Sequence, residues 1–469
     1  MTSRVGTTSV WVAAVAVCVA SDAAAQSRPS PDDAAHRAIY RELIEIDSSP
    51  AGGGEARAAA TVGARLLRAG FAPETVDVNG PVPACQNVVA TLAGRNRDAP
   101  PLLLLAHLDV VNARREDWTH DPFVLREEGG FFFGRGTLDN KAGASVLVAN
   151  MVNWKRDGFV PARDLVMVLT CDEETTAEQG MQWVLAHHPR LRTAEYALNT
   201  DAGGVTRTDA GRYVVSTQAA EKVYATFTLT ATNPGGHSSA PRPDNAIYAL
   251  AGALQRLAAY RFPVGYNDVT RESFARRAPL ESGALAADLA AAGRGETSGD
   301  ALDRLARLPH ENAQLRTTCV ATMLAGGHAE NALPQSATAT VNCRILPGES
   351  IAAITAQITA VVDDSTIAVA LTYEPVASPP SPLRADVMRA IERLSGEFWP
   401  GSAVVPGMSN GATDGLYLRN AGVPVYGVAA LFLQDEDDFA HGLNERLPVA
   451  SLYQAREFWD RLVRSLAAQ

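Results

Sequence analysis

The chain has 469 residues, 46% of them hydrophobic and 20% charged, with a formal net charge of −11. This composition excludes a disordered chain, and the acidic balance argues against a nucleic-acid partner, which would favour a basic surface. The length exceeds what one ordinary core accommodates and predicts two domains.

The first 25 residues read as an export signal. Arg4 supplies a positive start, Val10 to Ala20 an apolar run, and Ala23-Ala24-Ala25 a small-residue cleavage site. The run is too short to span a bilayer, and Val17 before Cys18 does not suit lipoprotein processing. A buried N-terminal helix is the plainer alternative. The expectation is an exported protein, periplasmic or secreted after cleavage near Ala25, without stable membrane insertion. Cys85, Cys171, Cys319 and Cys343 remain, which is no disulfide framework at this length and contains no CxxC pair. Cys319 and Cys343 fall in two β-like runs, where one disulfide could join them.

Ser30 followed by Pro31, Asp32 and Asp33 marks a helix start, and a second, Ala-rich helix spans about Glu55 to Arg68 before Gly70. Apolar runs at Leu102 to Leu105, Leu165 to Leu169 and Tyr196 to Leu198 predict buried strands. Helical patterns at Ala142 to Trp154 and Ala177 to Ala186 alternate with them. The fold class expected is α/β, a sheet with helices on both faces. Near residue 215 the pattern changes to period two, with Val223, Ala225, Phe227 and Leu229 on one face. A helix from Asn245 to Ala258 follows, then an Ala/Gly-rich insertion over 260–312. Strands at Thr317 to Leu324, Ala337 to Ile345 and Ile367 to Tyr373, with a helix at Ile351 to Val362, complete an α+β unit. The expected organisation is 32–214 and 376–469 as one domain, with 215–375 inserted.

Acids and histidines cluster where strands end, which in open α/β sheets is where ligands bind. His107 and Asp109 follow the first buried strand, Asp172-Glu173-Glu174 the second, and Asp201 the third, while Asp139 lies in a turn before a helix. Singly, each has a bland reading: a structural histidine, a solvated acidic turn, a helix N-cap. Their recurrence at successive strand ends overturns it. Carboxylates crowd together only with positive charge to neutralise them. Imidazole and carboxylate donors without cysteine suit a pair of divalent cations, zinc first, with cobalt or manganese as substitutes. The Asp435 to Asp438 run reads as a solvated loop, and His120, His187 and His188 lack partner spacing.

Ala106-His107-Leu108-Asp109, Gly134-Arg135-Gly136-Thr137-Leu138-Asp139-Asn140-Lys141, Cys171-Asp172-Glu173-Glu174, Asn199-Thr200-Asp201, Gly235-Gly236-His237-Ser238-Ser239 and Ala440-His441-Gly442 occur in this order. Together they resemble the co-catalytic zinc aminoacylase/carboxypeptidase/dipeptidase family, metallopeptidase family twenty. Asn331-Ala332-Leu333-Pro334 and Asn342-Cys343-Arg344-Ile345 look like its Gly-Xaa carboxypeptidase and N-acyl-amino-acid hydrolase branch.

The resemblance implies a mixed-sheet catalytic domain with an inserted ferredoxin-like lid. It implies that Asp139 bridges two Zn2+ ions, with His107 and Asp201 completing one position and Glu174 and His441 the other. Asp109 would orient His107, and Glu173 would be the general base. His237 matches the oxyanion-stabilising histidine, often supplied across a dimer, so a homodimer through the lid is also implied. Asn331 and Arg344 would bind the substrate carboxylate, for which a guanidinium fork is suited. Thr413 and Asp414, in Gly411-Ala412-Thr413-Asp414-Gly415, resemble a loop near the substrate. Many relatives carry Glu where Asp201 stands; dipeptidase-like members use Asp. The expected activity is hydrolysis of an amide bond in a small peptide or N-acyl amino acid with a free carboxylate. The rivals are a deacylase of other N-modified metabolites and a non-catalytic binding homologue. A serine hydrolase is disfavoured because no Gly-x-Ser-x-Gly elbow is present.

Overall fold

The computed structural model describes residues 30–208, 211–433 and 439–468; the export-signal segment and the Asp435 to Asp438 run lie outside them. A nine-stranded mixed sheet forms the larger layer. Its order is Val76–Val82, Cys85–Leu92, Leu165–Thr170, Leu102–His107, Tyr196–Asn199, Val425–Gly427, Tyr213–Glu221 and Ala403–Ser409, with Gly204–Arg207 beside Tyr213–Glu221. The strand Leu102–His107 pairs in parallel with both neighbours and is buried at every position.

Alternation explains that burial. Leu102, Leu104 and Ala106 join the main core with the helix Lys141–Arg156, while Leu103 and Leu105 pack on the opposite face with Val184, Leu185 and Leu418. A strand with helices over both faces must be apolar at every position, which is why its sequence is a continuous run. The first helix, Pro31–Ile44, starts where expected and carries a capping box, Ser30 and Asp33 each bonding the other's backbone.

Residues between Lys222 and Tyr373 build a separate antiparallel sheet in the order Thr318–Gly326, Ser336–Ile345, Val223–Thr232 and Ile367–Leu371. Helices Ala246–Ala259 and Ile351–Val362 pack on one face, burying Ala225, Phe227, Leu229, Val341 and Cys343. The chain then returns to the large sheet with Ala403–Ser409 and Val425–Gly427.

Three features differ from expectation. The 260–312 insertion holds the helices Asp268–Arg277, Gly283–Gly293 and Asp300–Leu305 and the start of Pro309–Leu315, around a small core of Phe274, Leu289, Leu302 and Leu305. Short Ala/Gly-rich helices with few large apolar residues carry little periodic signal. The expected helix at Ala177 to Ala186 is broken: Gly180 takes φ −85°, ψ −115°, and regular α-helix begins only at Trp183. The four cysteines form two disulfides, Cys319–Cys343 between paired strands and an unanticipated Cys85–Cys171. Partners 86 residues apart meet because the strands Cys85–Leu92 and Leu165–Thr170 are neighbours, a pairing that no local pattern reveals.

Candidate active site

The cluster forms where the large sheet's central strands end. His107 is the last residue of Leu102–His107, Glu173 and Glu174 follow Leu165–Thr170, and Asp201 follows Tyr196–Asn199. Asp139 immediately precedes the N-cap of helix Lys141–Arg156, and His441 lies before strand Arg446–Pro448. Parallel neighbours in register bring these ends to one edge.

Asp139 stands at the centre. Its Oδ1 is 2.9 Å from His107 Nε2 and its Oδ2 is 3.1 Å from His441 Nε2. Asp201 Oδ1 lies 3.4 Å from His107 Nε2, and both Glu174 oxygens approach His441 Nε2 at 3.0 Å. His107, Asp139 and Asp201 thus offer one set of donor atoms, and Asp139, Glu174 and His441 a second, each set within 4.8 Å. Glu173 groups with His107 and Glu174.

The neighbours of the cluster hold it in shape. His107 Nδ1 is 3.0 Å from the Asp109 carbonyl and 3.4 Å from its Oδ1, and Asp109 Oδ2 accepts the Glu174 N–H at 2.9 Å. Asp172 turns away from the cluster: its carboxylate accepts the Thr175 and Thr176 hydroxyls and the Gln179 N–H, shaping the turn that presents Glu173 and Glu174. Asn140 Oδ1 accepts the Thr200 hydroxyl at 2.8 Å, tying the Asp139 turn to the Asp201 turn.

The electrostatics are those of an acidic cluster, buried at His107 and open to solvent at His441. Burial, then the Asp201 charge, pushes the Glu173 carboxyl well above its ordinary range, and burial raises Asp201 to about 7. Burial opposes charge on His107, but Asp201, Asp109 and Asp139 outweigh it and hold the ring well above its usual value. Hydrogen bonds to Asp139 and Glu174 raise His441 to about 10. Among the described residues, the ion pairs of Asp139, Glu174 and Asp201 are with these two imidazoles. Four converging carboxylates and two imidazoles, with Asp139 facing both ways, are a donor set that fits two divalent cations.

The residues expected to touch substrate fall into two places. Arg344 lies on the open face of the smaller sheet, donates to the Asn410 carbonyl at 3.1 Å and covers the Tyr224 ring at 4.4 Å. That contact puts it beside the loop leading to Thr413. The Thr413 hydroxyl and N–H both donate to Glu221 Oε2, and the residue is buried. His237 and Asn331 sit together, the Asn331 carbonyl accepting the Ser238 N–H at 3.0 Å, and His237 is exposed with Nδ1 against Ser239. Their hydrogen bonds are local to that corner.

Two residues not singled out from sequence, Glu445 and Gln314, also shape the site, together with Asp414 of the Thr413 loop. Glu445 is fully buried against the Asp139 turn. Asp414 accepts the Thr170 hydroxyl at 2.6 Å beneath the cluster, and burial raises its carboxyl to about 7. Gln314, from the 260–312 side, holds Met408 O and Asn410 Oδ1, the same loop that Arg344 grips. A carboxylate four residues after His441 was the available signal for Glu445; Gln314 depends on distant chain segments.

The chain is 27% identical over 79% of its length to the Xenopus tropicalis N-fatty-acyl-amino acid synthase/hydrolase PM20D1, covering 73% of that protein. Its fold is similar to that of the metallo-carboxypeptidase Sso-CP2 from Sulfolobus solfataricus, with a TM-score of 0.69 at 16% identity over 92% of this chain and 99% of that one. It is also similar to the Bacillus subtilis YXEP protein, a dinuclear metal-binding peptidase, with a TM-score of 0.61 at 11% identity over 93% and 98% of the two chains. Residues 103–465, from the strand that ends in His107 to the last helix, match the model of peptidase family M20/M25/M40. The chain belongs to that family and is a metallopeptidase-type hydrolase of amide bonds.

Proposed function

We propose that the chain hydrolyses the amide bond of N-acyl amino acids or small peptides bearing a free carboxylate, with two zinc ions held by His107, Asp139, Glu174, Asp201 and His441. The observation that carries this reading is Asp139, whose two oxygens face His107 and His441 from opposite sides at 2.9 and 3.1 Å. Bound zinc would supply Lewis-acid polarisation of the scissile carbonyl and a lowered pKa for the attacking water. Glu173, in the same recess but in neither Asp139-centred set, takes the proton from water and delivers it to the leaving amine. Its surroundings support that role, since burial favours the protonated carboxyl and so strengthens Glu173 as the acceptor of the water proton.

The segment 215–375 acts as the lid. Arg344 takes the substrate carboxylate, its guanidinium already oriented by Tyr224 and the Asn410 carbonyl. Asn331 assists, His237 stabilises the oxyanion, and Thr413 belongs to the loop facing the substrate, held there by Glu221. A second copy would bring His237 to the cluster. The edge strand Thr318–Gly326 leaves Val320, Met323 and Leu324 exposed beside Ile247 and Tyr248, an apolar border suited to a homodimer. Cobalt or manganese would serve in place of zinc. We also assign residues 1–25 as the export signal of a periplasmic or secreted enzyme; two disulfides support an oxidising compartment.

The PM20D1 relative is named for N-fatty-acyl-amino acids, which favours N-acyl amino acids over dipeptides. The complete donor set with Glu173 beside it disfavours a non-catalytic binding protein. A panel of dipeptides and N-acyl amino acids, with detection of the released amine before and after chelation, tests the reading. Chelator-sensitive release from carboxylate-bearing substrates supports it; turnover unaffected by metal removal contradicts it.

A further inference from the structure

Glu445 is fully buried and spends its carboxylate on the backbone of the turn that carries Asp139. Oε1 accepts the N–H groups of Leu138 at 2.6 Å and Asp139 at 3.1 Å, and Oε2 accepts that of Gly136 at 3.0 Å. Oε2 also takes a hydrogen bond from Arg135 Nη1 at 2.6 Å, while Arg135 Nη2 donates to the Gly442 carbonyl at 3.0 Å. The Glu445 carbonyl accepts the Gly134 N–H at 3.1 Å. The turn 134–139 is therefore clasped, by six hydrogen bonds from five of its residues, to the segment that carries His441.

That segment needs holding. His441 and Asn444 both lie in the left-handed region, at φ 63° and 55°, where a non-glycine residue persists only when its surroundings impose it. Besides Glu445, the Asn444 side chain anchors the segment by accepting the Thr119 N–H at 2.9 Å. His107 and Asp201 are held differently, by the registered strands Leu102–His107 and Tyr196–Asn199 and by Asp109.

We infer that Glu445 is a positioning residue that sets the His441-side cation position by locking Asp139 and His441 into one rigid unit. This rests on the two-cation reading of the site. Both residues of the Asp139–His441 contact hang on Glu445, whereas only Asp139 of the His107, Asp139 and Asp201 set does. Losing the clasp therefore weakens the His441-side position first.

Glu445→Gln is the direct variant: the amide presents donors to backbone N–H groups that need an acceptor. Because it also strands the buried Arg135 charge, the paired variant Arg135→Met/Glu445→Gln removes both charges together and guards against misfolding. Each metal-free protein is checked by circular dichroism and titrated with zinc against a chromophoric chelator, and with cobalt while d–d absorption is recorded. Wild type should take up two equivalents. The folded paired variant should keep one at near wild-type affinity and bind the second about 10–100-fold more weakly, the loss typical of a residue supporting metal ligands, with excess zinc restoring it. Two equivalents at wild-type affinity in that variant would overturn the inference, as would equal weakening of both. A wild type that takes up no metal would overturn the two-cation reading itself, an outcome separate from either.

Discussion

One Asp109 oxygen accepts the Glu174 N–H at 2.9 Å while the other faces His107 Nδ1 at 3.4 Å. A single buried carboxylate thereby braces one donor from each of the two donor sets. The nearer partner of His107 Nδ1 is the Asp109 carbonyl, at 3.0 Å, so the ring keeps part of its orientation when the side chain is lost.

Asp109→Ala should therefore fold but weaken metal binding by about 10–100-fold, as outer partners of metal ligands generally do. Chelator competition on the purified variant checks this. Unchanged affinity would show that the backbone carbonyl alone suffices.

Arg344→Ala should raise KM for substrates with a free carboxylate by about 10- to 150-fold, since a hydrogen bond to a charged group contributes about 1.5–3 kcal/mol. An esterified or amidated analogue should lose little. Equal losses on both would instead reflect the grip of Arg344 on the Asn410 carbonyl, which shapes the loop before Thr413.

The strand ends were legible in the sequence because a strand buried on both faces is a continuous apolar run, and His107, Glu174 and Asp201 follow such runs directly. Asp139 and His441 were harder, since neither follows a buried strand; Asp139 was legible from its turn before a helix, and His441 only through its motif. Glu445 escaped because a buried carboxylate looks like a surface one until its partner, the Leu138 N–H, is in place. The Cys85–Cys171 pair escaped for the same reason: strand order is a property of the whole sheet.

That disulfide ends one residue before Asp172, at the base of the turn bearing Glu173 and Glu174. It closes a loop between partners 86 residues apart, for which chain entropy alone gives about 4.5 kcal/mol of stabilisation. Cys85→Ser/Cys171→Ser should lower the unfolding free energy by an amount of that order. Denaturant titration of the double variant measures it; a change below about 1 kcal/mol would show that the packing of these strands carries the stability instead.

Lys222 sits at the junction of the two sheets with Nζ donating to the Arg316 carbonyl at 2.8 Å. Burial lowers its pKa to about 7, against 10.5 for a free lysine. Between those values the unfolded chain holds a proton that the folded chain has released, so the Lys222 contribution makes stability rise with pH across that window. Below it, both states are protonated and the slope vanishes. Thermal melts from pH 6 to 10 should show a smaller rise in Lys222→Met than in the parent; parallel curves would place the Lys222 charge in contact with water.

The proposed mechanism divides the labour between Glu173 as base and Glu174 as metal donor. Both carboxylates reach the cluster, but of the two it is Glu174 that faces His441, at 3.0 Å. Glu173→Gln preserves size and removes the proton acceptor, whereas Glu174→Gln removes a donor from the His441-side set. The most direct measurement is zinc content together with kcat for both variants at low and high zinc. Glu173→Gln should keep the parent's zinc and lose turnover by about 10²–10⁴-fold, and Glu174→Gln should lose zinc and recover in part when zinc is added. Near-normal kcat in a zinc-replete Glu173→Gln variant, or loss of zinc from it while Glu174→Gln keeps its own, would contradict the account.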